Sequence, residues 1–130
     1  MKIKLGKYKG YSWIKTENMY YIGYTYVDNR RVFPKEIEYL LKGKDFNNMV
    51  NEIKKMDGCF SIIYNYADNI YIFSDKLRLF PIFYSIKKNI ITDNIDEIKE
   101  KKYDNVNKQI FDIIGYTLGK ETLYEDIYQT

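Results

Sequence analysis

Histidine is absent from this 130-residue chain, and cysteine occurs once, at Cys59. Without histidine the chain lacks the commonest general base near neutral pH and the commonest transition-metal ligand. Ser-His-Asp and Cys-His machinery is thereby excluded within it, and a zinc site is disfavoured. One cysteine leaves no intrachain disulfide to form. No stretch approaches the roughly 20 apolar residues that cross a bilayer, so no membrane partner is expected. Met1-Lys2-Ile3-Lys4-Leu5-Gly6 is too short and too polar for a signal peptide, which predicts a cytoplasmic location. Internal repeats and low-complexity linkers are also missing, and the length suits one domain spanning residues 1–130.

What is present reads as a globular chain, with 45% hydrophobic and 30% charged residues. The net charge of +3 is small. Lysines mix with acids, as in Asp96-Glu97-Ile98-Lys99-Glu100-Lys101-Lys102, which is the pattern of a solvated face and not of a nucleic-acid footprint. Fifteen tyrosines could stack on single-stranded bases. The chain is rich in Lys, Asn, Ile and Tyr throughout, however, as proteins of AT-rich genomes are, so nucleic acid is not an expected partner.

Periodicity predicts strands first. Tyr11 to Lys15 and Tyr20 to Val27 are rich in aromatic and β-branched residues, with Thr16-Glu17-Asn18 as the turn between them. Asp28-Asn29 ends the second strand, and Gly23 inside it marks a bulge or close backbone approach. Two helices follow. Pro34 suits a first helical position, with Ile37, Leu40 and Leu41 at helical spacing before Gly43. Asp45 caps the next, where Phe46, Met49, Val50 and Ile53 form a core-facing stripe.

Cys59 to Tyr66 and Ile70 to Ser74 predict a hairpin across Ala67-Asp68-Asn69. Pro81 to Ile86 and Asn89 to Thr92 predict another across Lys87-Lys88. Phe60-Ser61-Ile62-Ile63-Tyr64 is apolar on both faces, which predicts cover by a helix on one side and a second sheet on the other. Ile95 and Ile98 fall in a short helix. Asn107 is expected to cap a last one, with Ile110, Phe111, Ile113 and Ile114 buried and Gly115 past its end.

Four segments in order carry a resemblance. Asp57-Gly58-Cys59-Phe60 opens a central strand. Ser74-Asp75-Lys76-Leu77-Arg78-Leu79-Phe80-Pro81-Ile82-Phe83-Tyr84 is similar to a "D-R-x-G-x-x-P-L-Y-Y" segment. Ile90 to Ile98 is similar to a strand followed by an "S-E-I-K-A-L" helix. Gly115-Tyr116-Thr117-Leu118-Gly119-Lys120-Glu121-Thr122-Leu123-Tyr124-Glu125-Asp126-Ile127 matches "G-x-x-x-G-x-x-T-L-F-x-G-I". From Met56 onward the chain resembles the class II glutamine amidotransferase domain of the asparagine synthetase family; residues 1 to 55 match only in outline. The resemblance implies an α+β, N-terminal-nucleophile-like four-layer sandwich, two antiparallel sheets flanked by helices. It also implies that Thr130 lies at the boundary where relatives continue into an ATP-pyrophosphatase synthetase domain.

The departures bear on activity. Active members carry a cysteine at position 2 whose own α-amino group serves as base. Lys2 stands there, and no Ser, Thr or Cys precedes Ser12. The family's arginine-rich glutamine-binding segment and its "N-G-E" and "G-S-D" loops have no counterpart. Cys59 opens an apolar strand with no histidine to activate it and is expected to be a core residue. Asp75 and Arg78 are expected to form an ion pair that shapes a turn, and Trp13 to anchor packing. No catalytic, cofactor-binding or metal residue is therefore assigned.

The expected role is an inactive glutaminase-like domain that scaffolds or regulates an ATP-dependent, asparagine-synthetase-like amide-forming domain or subunit. Relatives such as β-lactam synthetases and lasso-peptide cyclases close an amide within one substrate and need no ammonia. ATP and magnesium would belong to that partner and not to this chain. The alternatives are a free-standing binding or assembly module and, less favoured, an active amidotransferase. A homo-oligomer is compatible with each.

Overall fold

The computed structural model describes residues 1–8, 10–98 and 128–129. The helix expected from Asn107 and the Gly115 to Ile127 segment lie outside them. In chain order the elements are β1 (Lys2–Lys4), β2 (Lys7–Tyr8), β3 (Tyr11–Ser12), β4 (Ile14–Lys15), β5 (Met19–Val27), β6 (Arg30–Val32), α1 (Pro34–Leu41) and α2 (Phe46–Lys54). Then come β7 (Asp57–Tyr66), β8 (Asn69–Ser74), β9 (Phe83–Ser85), β10 (Ile90–Thr92), a 3-10 turn at Ile95–Glu97 and β11 (Tyr128–Gln129). This is a mixed α+β chain. The described residues fall into two compact units, one drawn from Met1–Gly6 and Pro81–Thr130, the other Lys7–Phe80.

The Lys7–Phe80 unit is built on an antiparallel sheet of order β4-β5-β7-β8, with β6 also paired to β5. Two-residue loops close its hairpins: Asp28 and Asn29 take φ of 51° and 63°, Ala67 and Asp68 φ of 51° and 62°. Such left-handed pairs match the twist of the strands they join. The first of these loops does not simply end β5 but returns the chain as β6, pairing Thr25 with Val32. Arg30 and Arg31 hid that strand from a hydrophobicity pattern. The expected Tyr11 to Lys15 strand is two short pieces, with Trp13 between them and β3 paired to β2 in a separate ribbon.

Six consecutive residues of β7, Cys59 to Tyr64, are buried, so both faces of that strand are covered. Phe60, Ile62 and Tyr64 point to one face and join Ile37 and Leu41 of α1 and Met49 of α2 in a single cluster. That is the helix layer the apolar run predicted. Each such side chain contributes about 1.5–3 kcal/mol by leaving water. Asp45 caps α2 by accepting from the Asn48 amide at 2.9 Å. The α2 stripe is correct except at its first member. Phe46 is 54% exposed and stacks on Tyr71 and Phe73 of β8, with ring centroids 6.1 Å away in each case.

In the other unit, β10 pairs antiparallel with β9, β9 with β11, and β1 parallel with β10. This sheet is therefore mixed where two wholly antiparallel sheets were expected. β1 comes from the far end of the sequence, so no hairpin constrains its direction. The Gly6 amide lies 3.0 and 2.9 Å from the two Asp93 carboxylate oxygens, and Lys4 pairs with Glu97 at 2.7 Å. Ser85 and Asn89 close the β9–β10 turn: the Ser85 hydroxyl accepts from the Lys88 amide, and the Asn89 amide donates to Ile86.

Candidate functional site

Two of the segments that carried the resemblance meet in the structure. Gly58, at the start of β7, has φ of 113°, and a Cβ there would lie 2.3 Å from the Tyr24 carbonyl oxygen. Only glycine fits. Two residues on, the Phe60 amide donates to Asp75 Oδ1 at 3.3 Å, and the Asp75 amide donates back to the Phe60 carbonyl at 3.1 Å. The other carboxylate oxygen of Asp75 accepts from the Leu77 amide at 3.1 Å, and its carbonyl accepts from the Arg78 amide at 3.3 Å. Asp75 is 9% exposed. Its carboxylate is thus committed to backbone amides, as a side chain that fixes a turn is. Arg78 contributes a left-handed φ of 51° to the same turn.

Beside this turn lies a cleft of about 360 Å³ bordered by Ile53, Asp57, Gly58, Asp75 and Leu77. A second cleft of about 500 Å³ has Val32, Leu40 and Met56 on its walls and the Arg30–Glu36 pair, 3.2 Å apart, at its rim. A third, of about 540 Å³, lies near Thr16, Glu38 and Tyr64. There the Glu38 carboxylate accepts from the Asn18 amide at 2.9 Å and from the Thr16 hydroxyl, tying α1 to the β4–β5 turn. That contact spans 20 or more residues and had no local signal in the sequence. Burial, and then the Glu38 charge, raise the Tyr64 hydroxyl above the usual tyrosine pKa.

The remaining candidates are taken unit by unit. Lys2 is exposed on β1, where its amide donates to the Asn89 carbonyl at 3.0 Å. Cys59 is buried in a small cluster with Ile22 and Phe80, against which Trp13 and Tyr24 pack. Tyr24 faces Cys59 across the β5–β7 pair, and a side-chain hydrogen bond with the thiol is the main cause of its raised pKa. Tyr21 shares a hydrogen bond of 2.8 Å with Thr25, and burial raises its pKa. Lys2 belongs to the first unit, and Cys59, Tyr21, Tyr24 and Asp75 to the Lys7–Phe80 unit. Among the described residues no three His, Cys, Asp or Glu side chains group closely enough to hold a metal, and no helix is long and apolar enough to cross a membrane.

Replacing Asp75 with alanine is expected to lower stability by about 2 kcal/mol, because it orphans the Phe60 and Leu77 amides beside a buried strand. Asp75→Asn, which keeps one good acceptor, should lose less. Urea midpoints order the three proteins; equal midpoints for wild type and Asp75→Ala would mean that the carboxylate does not hold the turn.

Comparison with family models, with curated proteins and with solved structures gives no match to this chain.

Proposed function

We propose that this chain is a glutaminase-like domain of the asparagine synthetase type that no longer hydrolyses glutamine, and that it scaffolds or regulates an amide-forming synthetase domain or subunit. In that reading the fold is the four-layer N-terminal-nucleophile sandwich. The observation that most supports it is the bonding of Asp75 to Phe60, because it links the Asp57-Gly58-Cys59-Phe60 opening to the Ser74–Tyr84 segment, two segments of the resemblance. The glycine of that opening is also demanded by backbone contact. Inactivity in that reading is supported by the residues present: Lys2, where the resemblance puts the nucleophile, offers no thiolate, and Cys59 is a buried strand residue in a chain without histidine. Acyl activation by ATP and magnesium, followed by attack of an amine, would take place in the partner.

Two measurements test this. The purified protein should release no ammonia from glutamine above the uncatalysed rate. Lys2→Cys, with the initiator methionine removed, should remain inactive, because the glutamine-binding loops are missing as well as the nucleophile. Ammonia release by the wild type that vanishes in Cys59→Ala would overturn the assignment of inactivity. For the scaffolding role, the neighbouring coding region should encode a Ser-Gly-Gly-x-Asp-Ser pyrophosphate loop, and its product should co-purify with this chain. A neighbouring synthetase that does not associate would leave the free-standing module as the better reading.

A further inference from the structure

A buried hydroxyl opens into the cleft of about 540 Å³ formed by α1, the β4–β5 turn and the end of β7. Tyr64 is 1% exposed, with its ring stacked on Tyr66 at 5.7 Å and tilted against Tyr71 at 6.3 Å. Its hydroxyl bonds to no described residue. Among the described residues, every polar side-chain atom wholly shut off from solvent has a partner. The Tyr64 oxygen therefore reaches the surface, and the surface that Tyr64 lines is this cleft. Buried tyrosine hydroxyls ordinarily bond within the protein. This one is available to a ligand.

Glu38 presents a second such group. Its Oε2 accepts from the Asn18 amide at 2.9 Å and from the Thr16 hydroxyl. Oε1 accepts from no described residue, although a carboxylate oxygen has lone pairs for two bonds. Lys35 on α1 and Lys42 at its C-cap flank Glu38 at helical spacing and line the same cleft, as does Glu17. Two lysines thus balance two acids. A lining of this kind suits a ligand without net charge.

We propose that this cleft binds a neutral polyhydroxylated ring, a sugar or a cyclitol, whose hydroxyls bond to the Tyr64 hydroxyl and to Glu38 Oε1. A hydroxyl both donates and accepts. Adjacent hydroxyls can therefore give Glu38 a donor, the lysines an acceptor and Tyr64 either. An ammonium group supplies only donors and a carboxylate only acceptors. Burial raises the Tyr64 pKa, which keeps that side chain a neutral hydroxyl. The C–H faces of such a ring are apolar, and Tyr39, 79% exposed, and Tyr66 line the cleft with rings of matching character. The volume lies within the roughly 300–1,000 Å³ usual for small-molecule sites. None of the lining residues falls in the four segments that carry the resemblance, so the site stands apart from the glutaminase-like reading.

Nuclear magnetic resonance titration of the isotope-labelled full chain tests this. The probes are D-glucose, D-galactose, D-mannose and myo-inositol, each taken to about 50 mM, enough to detect a millimolar dissociation constant. At least one should shift the amide resonances of Asn18, Glu38 and Tyr66 saturably. Tyr64→Phe removes a hydroxyl that holds nothing inside the protein, so its urea midpoint should equal that of the wild type. Binding should nevertheless weaken about fivefold to tenfold, the worth of one hydrogen bond. No saturable shift with any of the four probes would overturn the proposal, as would unchanged affinity in Tyr64→Phe. A Tyr64→Phe midpoint well below the wild type would mean that the hydroxyl is bonded within the protein, and would overturn it equally. Glycine and acetate should leave the same resonances in place; tighter binding of either than of every neutral probe would give the cleft to charged ligands instead.

Discussion

Gly23→Ala is expected to destabilise the protein by about 3 kcal/mol or more, combining backbone strain with a steric clash that has no easy relief. Gly23 has φ of 107°, and a Cβ there would lie 2.0 Å from the Cys59 carbonyl oxygen, 2.9 Å from the Phe60 Cα and 2.9 Å from the edge of the Phe80 ring. Two of those atoms are backbone of β7, which is held by β5 on one side and β8 on the other. The strand cannot retreat without breaking one of its ladders. Gly43→Ala is the control, because Gly43 also has a positive φ, 73°, but open space around it. It should lose only about 1 kcal/mol, the penalty of a left-handed alanine. Urea unfolding of both variants separates conformation from collision. If the two midpoints shift equally, the close approach at Gly23 has no energetic weight.

That position also illustrates what could be read before the structure. A glycine amid Tyr-Ile-Gly-Tyr-Thr-Tyr announces a bulge or a close backbone, because nothing else explains its presence in so β-prone a run. Local signals of this kind worked widely: Pro34 at the start of α1, Asp45 as a cap, and Ala67-Asp68-Asn69 as a hairpin turn, of which Asn69 proves to open β8, each state their geometry in a few residues. Boundaries of β5, β7 and β8 came within about two residues for the same reason. β6 and β1 were invisible because short edge strands carrying Arg30, Arg31, Lys2 and Lys4 have no hydrophobic period to detect. The parallel pairing of β1 with β10 joins residues 2–4 to residues 90–92, a separation over which sequence patterns carry no pairing information.

The site was legible in a different way. What the sequence showed was residue chemistry: no histidine, and one thiol within an apolar strand. Burial of Cys59 beside Tyr24 agrees with the packing role expected for it. Asp75 was expected to shape a turn, but the partners are backbone amides of Phe60 and Leu77, and the first belongs to a strand 15 residues earlier. A carboxylate aimed at a distant amide leaves no trace in composition or periodicity. The same holds for Glu38 at the β4–β5 turn.

Phe60→Ala should have the largest effect of any single side-chain truncation in this core, about 3–5 kcal/mol, the usual range for removing a buried phenylalanine. Phe60 is 1% exposed and sits at the centre of β7, in the cluster that contains Ile37, Leu41 and Met49 of the two helices. Truncation leaves a void between sheet and helices that neither layer can close, since α1 is tied to the β4–β5 turn through Glu38 and α2 is anchored by its Asp45 cap. Domains of this size are stable by only about 5–15 kcal/mol, so the variant should unfold at a much lower urea concentration or be unfolded without any. Phe60→Leu, which keeps most of the volume, should lose less than about 1.5 kcal/mol and supplies a measurable second point. The pair decides what the phenylalanine of the Asp-Gly-x-Phe segment is for. A loss that scales with the volume removed marks a packing residue, whose recurrence in the resemblance reports the fold. A stable Phe60→Ala protein would mean that the ring carries little of the packing between β7 and the two helices.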